Sequence, residues 1–163
     1  VGTIQDLKTS ARYFERACEG GAIIACNNAG LMAQSGTGLP KNLLQAYSYF
    51  NISCNGGYGL ACSNLGVLLT SSSKEIANEL FINSCNANIA SGCNNIGLVA
   101  QNAGEYKAAL EIYQKSCSLN NDLGCALQKN LTNALQNAIN EQAAQEQREQ
   151  QAQSEVKEKK SKK

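Results

Sequence analysis

Eight cysteines are the residues best equipped for chemistry in this chain, and their spacing decides which chemistry that is. They fall as Cys18/Cys26, Cys54/Cys62, Cys85/Cys93 and Cys117/Cys125, each pair enclosing the same seven residues. Structural zinc usually takes cysteines about two to four residues apart plus two further ligands, often histidine. This chain has no histidine, so disulfides are the better reading and no metal site is expected. An even set of bridges belongs to an oxidising compartment, periplasmic or secreted. Eight cysteines allow on the order of a hundred pairings, and sequence alone does not fix one; the common interval favours the four local pairs.

Without histidine, proton transfer would fall to Glu, Asp, Lys or Tyr. The thirteen carboxylates, two of them Asp, are scattered with no repeated couple, so neither an acid/base pair nor a hard-cation site is expected. One nucleophile motif occurs: Ser71-Ser-Ser-Lys74 satisfies the Ser-x-x-Lys of serine β-lactamases and penicillin-binding proteins. Its usual companions, Ser-Asp-Asn and Lys-Thr-Gly, are absent, and the same spacing recurs at Ser154 and Lys157 in a polar tail. The serines are therefore read as a loop, with no catalytic residue and no cofactor. A better lead repeats: Asn28, Asn64 and Asn95 each stand two residues after a second cysteine. Such a ladder either binds a partner or joins neighbouring units by hydrogen bonds.

These residues must be positioned by repeated elements. First cysteines lie 36, 31 and 32 residues apart, a period typical of αα solenoids. Four residues before each stands an aromatic (Phe14, Phe50, Phe81, Tyr113), and eight before it a small residue (Ser10, Ala46, Ala77, Ala109). Four after each second cysteine come Gly30, Gly66, Gly97 and then Lys129. AYSYFNISC and AALEIYQKSC have helical apolar spacing; we term these the aromatic helices. The second helices, such as ACNNAGLMAQ and ACSNLGVLLT, carry the glycine that permits close approach. Between them, EGG (19–21), NGG (55–57) and NAN (86–88) supply the Gly or Asn favoured at a helix C-terminus. A cysteine in the last turn of one helix and another in the first turn of the next come side by side in an αα hairpin.

The expected fold is all-α, a solenoid of four αα units over 1–140 (about 5–40, 41–73, 74–104 and 105–140), followed by an extended polar helix and Lys-rich tail over 141–163. From Leu131 a helical stripe continues through Leu135, Ala138 and Ile139, then fades into Gln, Glu and Ala, as in a capping helix that outgrows the stack. The lysines beyond Val156 read as a frayed, solvated tail. Tyr13, Tyr47, Tyr49, Tyr58 and Tyr106 are read as core or boundary residues rather than stacking sites. A net charge of +1, without a basic groove, argues against nucleic acid, and no apolar run is long enough for a membrane span. The opening at Val1, without Met or leader, is what a mature or excised form would show.

The stretch AGLMAQSGTGLPKNLLQAYSYF (29–50) resembles the consensus of Sel-one-like repeats (SLR), relatives of the tetratricopeptide repeat, in its small-Gly pair, Gly-x-Gly loop and Lys-x-x-x-x-Ala-aromatic helix. With Cys-x7-Cys in every unit, the chain is similar to the Helicobacter cysteine-rich proteins over about residues 5–135. Units two and three lack the Gly-x-Gly loop, and GCALQKNL in unit four replaces the small-Gly motif. The resemblance implies an exported protein-interaction scaffold whose second helices line a concave groove. There the ladder Asn28, Asn64 and Asn95 would contact the backbone of an extended peptide or a cell-envelope component, since an amide both donates and accepts. Asn27, Leu31, Gln34, Ser63, Val67, Thr70, Asn94, Leu98 and Gln101 would complete the wall, which offers no match to a strongly charged ligand. Some members of the family bind or weakly hydrolyse penicillins, which makes a β-lactam activity the alternative expectation.

Overall fold

The computed structural model describes residues 4–161, with side chains for 6–154. Eight helices follow one another: α1 Ile4–Glu19, α2 Ile23–Ser35, α3 Leu43–Asn55, α4 Gly59–Leu69, α5 Lys74–Asn86, α6 Ala90–Asn102, α7 Tyr106–Ser118 and α8 Asp122–Ser161. No strand occurs among the described residues. The helices pair as α1/α2, α3/α4, α5/α6 and α7/α8, and α2, α4 and α6 each also pack on the first helix of the next pair.

The hairpin turns are built alike. The chain leaves each first helix through one residue in the left-handed region, Gly21, Gly57, Asn88 and Asn120, with φ of 89°, 92°, 60° and 58°. Glycine meets no Cβ clash there, and asparagine tolerates the conformation better than most residues. The reversed backbone returns N–H groups to carbonyls the helix end leaves open: Gly21 N–H to Cys18 O, Gly57 to Cys54, Asn88 to Cys85 and Asn120 to Cys117. Each turn thus sets the last residue but one of the first helix against the fourth residue of the second. These are the cysteines, bridged as Cys18–Cys26, Cys54–Cys62, Cys85–Cys93 and Cys117–Cys125, with Cα atoms 4.5–4.7 Å apart.

Packing between units rests on one contact made three times. A Cβ placed on Gly30 would lie 2.6 Å from the Phe50 ring, one on Gly66 2.6 Å from Phe81, and one on Gly97 2.5 Å from Tyr113. Each aromatic therefore lies flat on the glycine of the unit before it, and Phe50, Phe81 and Tyr113 are all buried. Alanines fill the space around them: Ala33, Ala46 and Leu65 beside Phe50, and Ala100, Ala109 and Leu131 beside Tyr113. Phe14 is half-buried and meets no glycine of another unit among the described residues. The first unit also departs from the expected register. Ser10, aligned with the buried Ala46, Ala77 and Ala109, is exposed, and Ala11 is buried instead.

At the other end Lys129 takes the glycine position, and α8 continues for 40 residues. Its first part packs through Leu127, Leu131 and Leu135; residues 136–154 are exposed. The backbone stays helical through Ser161, where the sequence reading expected fraying; residues 162 and 163 lie outside the described residues. Ala, Gln, Glu and Lys are strong helix formers, and Gln142–Glu146 and Gln145–Glu149 hydrogen bonds add i, i+4 support.

Candidate partner-binding surface

The second helices approach one another directly, α4 on α6 and α6 on α8, a closeness no pair of first helices matches. Helices that touch across units occupy the shorter arc of a curved stack, so α4, α6 and the start of α8 line the inner wall, which α2 joins through the Asn64–Asn27 hydrogen bond. None of α2, α4 and α6 contains an Asp, Glu, Lys or Arg, whereas the start of α8 carries Asp122 and Lys129. An accessible apolar residue recurs at one position, immediately after the close-packing glycine: Leu31 is 41% exposed, Val67 51% and Leu98 38%; Ile24 near the start of α2, 58% exposed, stands outside this register. One turn further lie Gln34, half-buried, Thr70, exposed, and Gln101, half-buried.

The asparagine ladder is half-buried, and part of its hydrogen-bonding capacity serves the stack. Asn64 donates from Nδ2 to Asn27 Oδ1 at 2.8 Å, and Asn95 donates to Ser63 Oγ at 3.4 Å. Nδ2 ties unit to unit, while Oδ1 of Asn64 and Asn95 makes no hydrogen bond among the described residues.

Three expected wall residues are not accessible. Asn27 and Ser63 are 2% exposed and Asn94 is 4% exposed. The residue after the second cysteine points into the seam between units rather than along the wall. There Asn94 donates to Asn121 Oδ1 at 2.9 Å, and the same oxygen accepts Gly124 N–H at 2.8 Å near the start of α8. At the far edge of the wall, Thr70 Oγ1 donates to Gly66 O, and Gln101 Oε1 accepts the Tyr113 hydroxyl at 2.9 Å. Burial pushes the Tyr113 phenol above its ordinary pKa.

The sequence reading passed over one set of residues at the seams. Ser53, Ser84 and Ser116 each precede a first cysteine and are fully buried. Ser53 Oγ donates to Ile23 O at 2.8 Å and Ser116 Oγ to Ala90 O at 3.2 Å, each tying an aromatic helix to the second helix of the preceding unit. The signal was present, a serine recurring one residue before Cys54, Cys85 and Cys117. Of the five tyrosines expected in the core or at its boundary, Tyr49 and Tyr58 are half-buried, while the other three are exposed. Tyr13, Tyr47 and Tyr106 are 66%, 39% and 45% exposed, because the outer helices have no layer above them. Tyr49 is half-buried and donates to Glu15 Oε1 at 3.1 Å, beside a Gln45 bond to the same oxygen. Its phenol is raised above its usual pKa, by burial first and by Glu15 in addition.

Ser71 and Lys74 do not share a helix. Ser71 lies in the turn before α5, and Lys74 is the first residue of α5. The i, i+3 neighbourhood that a helix gives a Ser-x-x-Lys pair is therefore missing. No group of three or more Cys, Asp or Glu that could hold a metal occurs among the described residues, and no helix there is long and apolar enough to cross a membrane.

Comparison with known proteins agrees with this architecture. The Sel1 repeat family model matches residues 1–21, 23–58 and 90–121, more than half of the chain. Residues 59–89 fall outside the match although they contain the whole of α4 and α5. Among solved structures the chain is similar to c5321, a protective antigen of uropathogenic Escherichia coli displaying an SLR fold. That likeness has a TM-score of 0.69 at 18% identity, over 75% of this chain and 28% of that one. A Sel1 repeat protein from Oxalobacter formigenes gives 0.67 at 18% identity, over 74% of this chain and 53% of that one. The chain thus spans about a quarter and about half of these two relatives. Cysteine-rich protein B of Helicobacter pylori gives 0.57 at 24% identity, over 77% of this chain and 97% of that one. No curated protein sequence matches. Repeated glycine–aromatic seams, stapled αα hairpins and the family match lead to one assignment: the chain belongs to the Sel1 repeat family.

Proposed function

We propose that the protein is an exported scaffold that holds an extended, largely uncharged protein segment along its inner wall. Sel1 repeat proteins are in the main protein-interaction scaffolds rather than enzymes. Four disulfides with no free cysteine fit a periplasmic or extracellular setting, where a component of the cell envelope is the natural class of partner. One observation carries the reading: α2, α4 and α6 have no charged residue yet expose Leu31, Val67 and Leu98 in register. A charged segment would lose hydration on that wall and gain no counter-charge, whereas aliphatic side chains gain from burial. The ladder Asn28, Asn64 and Asn95, with Gln34, Thr70 and Gln101, supplies neutral groups that can pair with a peptide backbone whatever its side chains.

Val67→Glu tests this more cleanly than replacing the ladder, because Asn64 and Asn95 also join the units. The immobilised wild type should capture an envelope protein, and capture should survive raised salt, since no ion pair is invoked. Val67→Glu should abolish capture with helicity and melting temperature unchanged. Undiminished capture by a folded Val67→Glu protein would discard the inner wall as the binding surface.

A further inference from the structure

The third unit breaks the repeat pattern at two positions that line one hollow. Eleven residues before the first cysteine stand Leu7, Leu43, Lys74 and Tyr106; seven before it stand Ala11, Tyr47, Asn78 and Leu110. Unit three alone places a cation and an amide where the others carry apolar side chains. Lys74 and Asn78 border a hollow of about 240 Å³ between α4, α5 and α6. Ala77, Phe81 and Val99 give it apolar surface, and Asn102 and Thr70 complete its edge. Asn102 is a further departure, at the place of Ser35, Ser71 and Ala134 in the other units. The Lys74 ammonium has no hydrogen-bond or ion-pair partner among the described residues, and neither Glu75 nor Glu79 of the same helix lines the hollow.

The lining selects its occupant. A lone ammonium beside two amides matches one carboxylate, because the amides donate N–H groups to the oxygens that the ammonium does not hold. The Phe81 ring, Val99 and Ala77 match a short aliphatic group attached to that carboxylate. The volume lies below the roughly 300–1,000 Å³ of sites for drug-sized molecules and suits a single amino-acid residue. Thr70 belongs both to the hollow and to the edge of the inner wall, so the two surfaces are continuous.

We infer that this hollow seats the carboxy-terminal residue of the bound segment, an aliphatic residue whose free carboxylate rests on Lys74. The inference builds on the inner-wall reading and adds a polarity: the segment ends at unit three, and its charge is confined to that end. A neutral wall and one terminal carboxylate are compatible because α2, α4 and α6 offer no cation, while Lys74 stands at the hollow.

The probe is N-acetyl-valine, compared with N-acetyl-valinamide, titrated into the oxidised, isotope-labelled full chain and followed by amide NMR shifts. The acid should shift Lys74, Asn78 and Asn102 saturably. The carboxamide should bind about tenfold more weakly, the size of one charge-assisted hydrogen bond. Lys74→Leu restores the residue of units one and two, so it is compatible with the fold, and it should erase the preference for the acid. Non-saturating shifts, equal binding of acid and carboxamide, or an unchanged preference in Lys74→Leu would each overturn the inference. Neither probe is long enough to lie along the wall, so the outcome is independent of partner capture and of Val67→Glu.

Discussion

A methyl group added to Gly66 would meet the Phe81 ring at 2.6 Å and the Ala77 carbonyl oxygen at 3.2 Å. In a free helix Gly→Ala stabilises by about 1 kcal/mol; here the ring must move out of a buried seam, and overpacking of that kind costs about 1–3 kcal/mol. Gly66→Ala should therefore lower the melting temperature despite its better helix propensity, and a rise would show that the seam has slack. Tyr113 makes a second prediction. Its raised pKa means that the folded state holds the phenolic proton more tightly than the unfolded chain does. That contribution is complete below the ordinary tyrosine range and is lost as pH climbs through the raised value. Tyr113→Phe keeps a ring that units one to three already accommodate, and gives up the Gln101 bond at 2.9 Å. Melting curves at neutral pH should show a loss of about 1 kcal/mol, and the alkaline fall in stability should be shallower than in the wild type. An identical alkaline slope would assign that fall to other groups.

At the level of the element, each hairpin is closed twice, by its left-handed turn residue and by its disulfide. The turn satisfies carbonyls at the helix end, while the bridge limits the unfolded chain; closing a loop of this length contributes roughly 2.5 kcal/mol in the chain-entropy account. Replacing Cys54 and Cys62 together by serine should lower the melting temperature by about 5–10 °C for a chain of this size, with helicity retained at low temperature. A smaller shift would mean that the Gly57 turn and the Phe50 and Phe81 seams hold the second unit without its staple. Much of this was legible before any coordinates. EGG, NGG and NAN announced the turns, and the common Cys interval announced the hairpins, because both are local signals within about ten residues. Tyr13, Tyr47 and Tyr106 are exposed against expectation because helical spacing identifies a face, while only the presence or absence of a neighbouring layer decides whether that face is covered.

For the whole molecule, charge is unevenly spread over the stack. The outer helices α1, α5 and α7 carry Lys and Glu, whereas α2, α4 and α6, and the outer helix α3 with them, carry no charged residue. On the proposed reading, binding along the inner wall depends on apolar contact and backbone pairing, so capture is insensitive to salt. The first and fourth units also differ from the two between them. The Phe14 ring meets no glycine of another unit among the described residues, Lys129 stands at the glycine position of the fourth, and α8 extends past the last seam for about 40 Å at 1.5 Å per residue.

By itself the sequence determined the unit, its two helices, its staple and its turn, since each of these depends on residues close along the chain. It also marked Gly30, Gly66 and Gly97 as sites of close approach, and the aromatic that recurs. Only the tertiary structure decided that each ring lies on the glycine of the unit before it, and that Asn27, Ser63 and Asn94 sink into the seams while Leu31, Val67 and Leu98 stay open. It alone gathered Lys74, Asn78 and Asn102 around one hollow. The physical reason is the offset between successive hairpins, which is set by side chains some thirty residues apart packing against one another and has no local signature in the chain.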